Sequence, residues 1–244
     1  ALSFPTSWVI FLAVFVIAKV GYNASLIFYD SMLVDVTTSE RMDTVSSHGY
    51  AWGYIGSCIP FAISLAFVLM YEKIGISMKM AMAIAFFLNA AWWLLVTIPL
   101  LRNYEQKNYV EMPKHPVRNS FKRLGNTLKD IKKEKNIFLY LLAFFFFIDG
   151  VYTIIEMATA YGSALGLDST GLLLALLVTQ IVAFPCALIF SKLSGKYNTA
   201  SLIKVCIIAY TGIALFAIWL DKQWKFWLLA ILVGMFQGAI QALS

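Results

Sequence analysis

Residues 102–135 read RNYEQKNYVEMPKHPVRNSFKRLGNTLKDIKKEK, the one long polar segment in a chain otherwise rich in apolar residues. Ten Lys or Arg residues stand there against four acids, Glu105, Glu111, Asp130 and Glu134. The resulting +6 equals the formal charge of the whole chain, so everything outside the segment sums to zero. A basic stretch between long apolar runs marks a cytoplasmic loop of a membrane protein. A nucleic-acid patch would need a soluble domain to present it, and the sequence holds none. Ser120 is placed to cap a helix on which Phe121, Leu124, Leu128 and Ile131 share one face and the basic residues the other. That is the pattern of an interfacial helix lying on an anionic leaflet.

Composition agrees with a membrane setting. With 61% hydrophobic and 13% charged residues and a mean hydropathy of +0.77, most apolar side chains have nowhere to be buried but lipid. The sequence starts at Ala1 and ends at Ser244 directly after an apolar run with no polar tail, so the expectation is a piece of a longer protein. No charged n-region with a cleavage site appears, so the first hydrophobic run is expected to be a span and not a signal peptide. Cys58, Cys186 and Cys206 stand singly in apolar segments without His or Cys at ligand spacing. They read as small buried hydrophobes, and no metal or other cofactor is called for.

Seven stretches are long and apolar enough to span a bilayer: 8–33, 49–70, 78–101, 136–161, 170–190, 200–220 and 224–243. The fold class is therefore all-α and polytopic. Placing 102–135 inside puts loops 34–48 and 191–199 inside and loops 71–77, 162–169 and 221–223 outside. Fourteen cations then lie at the inner side against four at the outer, in keeping with the positive-inside rule.

Lys19 is left over, near the middle of the first span. At about 100° per residue it shares a narrow stripe with Asn23, Leu26 and Asp30. A mid-membrane Lys costs roughly 2.5–3.5 kcal/mol on insertion scales, so this one is expected to face protein or water. Asp30, nearer the inner end, can cap the bundle there. The fourth span carries Asp149 and Glu156 two turns apart with Thr153 between them, and Gly150 beside Asp149 as a point of flexure. Intramembrane acids mark ion pathways and proton relays, and Lys19 is their natural counter-ion. Asp149, closer to mid-span, is the favoured proton carrier, and Glu156 a gate. Gly49, Gly53 and Gly56 put small residues on one face of the second span, where another backbone can approach. Pro185 interrupts the backbone bonding of the fifth span, which also holds Gln180. In the last span Gly234, Gln237, Gln241 and Ser244 share a face, and such amides either join helices or bind solute.

Several of these stretches together resemble the major facilitator superfamily, in particular the "unknown major facilitator" branch that includes the autophagy-related vacuolar effluxers of fungi. The matching segments are FYDSML at 28–33, SSHGYAWGYIG at 46–56, DGVYTI at 149–154, LGL at 165–167, QIVAFP at 180–185 and GMFQGAIQALS at 234–244. SKLSGKY at 191–197 is similar to a degenerate copy of the superfamily's basic loop motif. The resemblance implies twelve helices in two six-helix halves, of which the seven spans here correspond to helices four to ten. Residues 1–101 then form the later part of the first half, 102–135 the central loop, and 136–244 the earlier part of the second half. Cavity-lining positions fall to the first and fourth helices of each half, which places Lys19, Asp149, Glu156, Gln237 and Gln241 around the cavity. The implied activity is secondary transport of a small polar solute by alternating access, coupled to protons, with amino-acid efflux as its most specific form. The implied partners are that solute, protons and the lipid bilayer. The implied membrane is the plasma membrane in a prokaryote and the vacuolar one in a fungus.

Two other classes compete. A seven-helix receptor fits the count, but its longest basic loop would follow the third span. A membrane enzyme needs a nucleophile or metal cluster near an interface, and two His without Cys/His spacing do not supply one. The orientation is directly testable. In a background lacking the three native cysteines, Asn108→Cys and Ser163→Cys should react with an impermeant thiol reagent from opposite sides; labelling of both from one side would overturn the topology.

Overall fold

The computed structural model describes residues 8–109 and 114–243. Glu111 and Ser244, both singled out above, lie outside the described residues. The elements run α1 (Trp8–Ser31), α2 (Leu33–Val36), a 3-10 turn at Ser39–Arg41, α3 (Met42–Leu69), α4 (Tyr71–Ile74), α5 (Met78–Asn103), α6 (Pro116–Lys133), α7 (Lys135–Ala164), α8 (Ser169–Ser194), α9 (Thr199–Ala217) and α10 (Gln223–Leu243). Among the described residues seven of these helical stretches are long and apolar enough to cross a membrane, and the chain is an all-α, multi-pass integral membrane protein.

The helix boundaries have local causes. Ser77 accepts from the Met80 N–H at 3.2 Å to start α5, Asp168 from Gly171 at 2.7 Å to start α8, and Asn198 from Ala200 at 2.9 Å to start α9. α7 stops at Gly166, whose φ of 75° lets the Leu167 N–H turn back onto the Gly162 carbonyl. At the start of α10 the Lys225 ammonium sits 2.5 Å from the carboxylate of Asp221, in the turn before the helix. Its hydrogen bond holds that carboxyl below the usual range.

Two boundaries differ most from the sequence expectation. α3 begins at Met42, seven residues before the expected start, because the polar residues ahead of Gly49 are used in packing. Ser47 is buried, the Thr199 hydroxyl donates to Asp43 at 2.6 Å, and the Ser46 hydroxyl donates to the Ala242 carbonyl at 3.0 Å. The loop helix α6 begins at Pro116, not after Ser120. Proline at the first helical position has a preset φ and no N–H to leave unbonded.

α8 and α10 form the centre of the packing, with α3 laid on α8 and α9 and α7 on the other side of α10. The basis is a ridge on α8 in which every fourth residue is small: Gly171, Ala175, Thr179, Ala183, Ala187 and Ser191, all buried. Steps of four residues drift by about 40° on a helix of 3.6 residues per turn, so the ridge winds from one neighbour toward another. Its first part meets α10, where the Thr179 hydroxyl donates to the Ala230 carbonyl at 3.2 Å. Its later part meets α3 at Ala51 and Tyr54. α10 answers with its own small residues. A Cβ on Gly234 would lie 2.7 Å from the Thr179 carbonyl oxygen, and one on Gly238 2.7 Å from the Ala187 Cβ.

The glycine face of α3 meets little among the described residues. No described atom lies within 4 Å of a Cβ placed on Gly53 or Gly56, and Gly49 meets the Tyr29 hydroxyl at 3.5 Å. The close backbone approach occurs on α10 instead. Pro185 lies within α8, whose helix continues through it, and nothing crowds Gly150 on α7.

In α2 Asp35, 7% exposed, holds the residues that follow α5. The Tyr104 hydroxyl donates to one carboxylate oxygen, and the backbone and side-chain N–H groups of Asn108 donate to the other at 2.8 Å each.

Gly234→Ala should lower the thermal midpoint of the purified protein, because a methyl group cannot displace a helix carbonyl without moving α8. Overpacking of this kind costs about 1–3 kcal/mol. Gly53→Ala should leave the midpoint unchanged or raise it; equal loss in both variants would refute the assignment of the close contact to α10.

Candidate functional site

The polar residues of α1 and α7 meet each other. No residue of α1 is buried, yet its Lys19 ammonium lies 2.9 Å from Glu156 Oε1 on α7, with the two side chains 43% and 55% exposed. The ammonium also stands over the Tyr22 ring, 5.9 Å from its centroid. On α7, Val151 with Ile154 and Ile155 packs into the core. Helical periodicity turns Asp149, Tyr152, Thr153 and Glu156 to the opposite side. Asp149, Thr153 and Asn23 are exposed, and among the described residues Asp149 makes no ion pair. Of the two acids, then, Glu156 holds the lysine.

Beside this pair the site continues through tyrosines and one amide. The Tyr54 hydroxyl on α3 donates to Gln241 Oε1 on α10 at 2.5 Å, and the Gln241 amide also lies beside the Tyr152 hydroxyl. Tyr50 and Tyr54 hold their rings 6.3 Å apart. Asp30 on α1 is exposed and makes no ion pair among the described residues. Gln237 is separate from this group. It is 5% exposed, borders a cavity of about 50 Å³ between α7, α8 and α10, and its carbonyl oxygen has no partner among the described residues.

Four tyrosines therefore belong to the site although sequence reasoning passed over them as residues of interest. Their signal was positional. Tyr22 follows Lys19 by three, Tyr54 follows Tyr50 by four, and Glu156 follows Tyr152 by four, each pair on one helical face. A cation, a carboxylate, phenol hydroxyls and an amide on four helices together offer donors and acceptors for a small zwitterion. Among the described residues no group of His, Cys, Asp and Glu is arranged to hold a metal ion.

The helices that build this site are α1, α3, α7 and α10. The chain belongs to the family described as "Vacuole effluxer Atg22 like", whose model matches residues 1–244. It is similar to an uncharacterized MFS-type transporter, YxiO, of Bacillus subtilis, 45% identical over 239 residues that make up 97% of this chain and 56% of that protein. It is also similar to autophagy-related protein 22-1 of Penicillium rubens, 25% identical over 83% of this chain and 38% of that protein. The corresponding protein of Aspergillus niger is 23% identical over 81% of this chain and 36% of its own length. The chain thus spans about half, or less, of the length of these relatives. No solved structure matches it.

Half-exposed ion pairs contribute little, so a double-mutant cycle on Lys19→Met and Glu156→Gln should give a coupling of no more than about 1 kcal/mol in thermal stability. A coupling of several kcal/mol would make the pair a structural tie and not an openable contact.

Proposed function

We propose that the full-length protein is a secondary active transporter that exports a small zwitterionic solute, an amino acid being the best candidate, by alternating access coupled to protons. The observation that carries the proposal is the openable Lys19–Glu156 pair, set between helices of the two halves and flanked by tyrosines. A zwitterion can divide such a pair, its carboxylate taking the ammonium and its own ammonium remaining near the acids. Family membership supports transport in general. Intramembrane acids on a helix that lines the solute path support proton coupling.

Coupling follows from electrostatics. A carboxylate beside a cation favours its charged form, and it binds a proton more readily once the cation is drawn away. Solute that takes Lys19 would therefore promote protonation of the acid it leaves, linking the two binding events. Sequence position favoured Asp149 for that acid; the observed pairing favours Glu156, with Asp149 as a second stop nearer the inner end. Moving one charge through the membrane potential is worth about 2.3 kcal/mol per 100 mV, enough to drive accumulation.

The test is transport by the full-length protein in vesicles against a panel of amino acids with an imposed pH gradient. Lys19→Met should abolish transport while the protein remains folded. Glu156→Gln should lose gradient-driven accumulation and retain solute-for-solute exchange. If Asp149→Asn has that phenotype and Glu156→Gln does not, the proton is carried by Asp149; parental transport by Lys19→Met would remove the lysine from the site.

A further inference from the structure

The helix between the two halves has an uncovered apolar face. No residue of α6 is buried. Val117, Phe121, Leu124 and Leu128, which with Ile131 recur at intervals of four and three, are between 53% and 72% exposed. The same helix carries six cations (Arg118, Lys122, Arg123, Lys129, Lys132 and Lys133) against one acid, Asp130. Only Lys133 is seen to pair with that acid, at 2.8 Å. At about 100° per residue the apolar side chains occupy one narrow sector, and Lys132, Arg118, Lys129 and Lys122 follow along one flank of it.

The attachment of α6 restricts what can cover it. Its last residue, Lys133, is separated from the first residue of α7 by Glu134 alone. α7 is a membrane span, so α6 ends at the level of the bilayer surface and cannot be carried far from it. Its N-terminal side leads back to Asn108, which is held by Asp35 at the inner end of α1. Both ends are thus kept at the same membrane face. An amphipathic helix so placed, with cations beside its apolar sector, matches the two components of an anionic bilayer surface: acyl chains for Phe121 and its neighbours, and phosphate headgroups for the flanking cations.

We infer that α6 is an in-plane binding element for the anionic phospholipids of the cytoplasmic leaflet, with Val117, Phe121, Leu124 and Leu128 inserted below the headgroups. This is independent of which solute is carried. The test uses the full-length protein without its native cysteines, labelled with an environment-sensitive fluorophore at Leu124→Cys. It is reconstituted in vesicles of phosphatidylcholine alone or mixed with phosphatidylglycerol, with and without nitroxide-bearing lipid. Quenching by the nitroxide lipid should be several-fold greater in the phosphatidylglycerol vesicles and should fall as salt is raised. The same label at Asn126→Cys, on the opposite side of the helix, should stay unquenched. The triple variant R118E/K122E/K129E should lose the response at Leu124, and the salt titration of the parent stands if that variant does not fold. Absence of quenching in both vesicles would overturn the inference. So would equal, salt-insensitive quenching in both, or a signal that follows protein density and not lipid composition, which would mean a second copy of the chain covers the face.

Discussion

Helices surrounded by acyl chains gain nothing by hiding one oily side chain against another, so they associate through close packing and through backbone approach. In this protein that requirement is met by the small residues spaced four apart on α8. They allow α10 to come near enough for the Thr179 hydroxyl to reach the Ala230 carbonyl. Farther along, the same ridge receives α3. α3 precedes the polar segment 102–135 and α8 follows it, so one ridge joins helices from both sides of that segment.

The candidate site depends on that junction from a distance. α10, seated on α8, presents Gln241; α3, seated on the same helix, presents Tyr54; and the two bond. α7 packs by its opposite face against α9 and α10, which leaves its acids turned outward. α1 is held differently. It buries none of its residues and meets this wall through Lys19 on Glu156 and Tyr29 beside Gly49.

What could be read in advance follows from how strongly lipid constrains each feature. All seven spans were legible because an unbroken run of about 20 apolar residues is demanded by bilayer thickness. The polar stripe of α1 and the acid face of α7 were legible for the same reason, since a charge in a span is too costly to be incidental. Contacts made by residues common in any membrane helix were not. Alanine and glycine carry little hydropathy contrast, so the ridge from Gly171 to Ser191 merges into its apolar surroundings. Gly49, Gly53 and Gly56 looked like the close-packing face, while the crowded glycines are Gly234 and Gly238. Helix ends were blurred where polar residues pack against protein, as Asp43 and Ser46 do. Which acid meets Lys19 depends on the relative depth of two helices, and spacing within one helix carries no such information.

The carboxylate of Asp35 also changes how long the connection between α5 and α7 really is. The polar segment that joins them looks like a generous tether when counted in residues. Its opening part is fastened by Tyr104 and Asn108, and its closing part is wound into α6. Only residues 109–115 lie between the fastening and the helix. Seven residues fully extended reach at most about 25 Å. α5 and α7 are thus on a short leash at this end, and any large separation there must either release Asp35 or unwind α6.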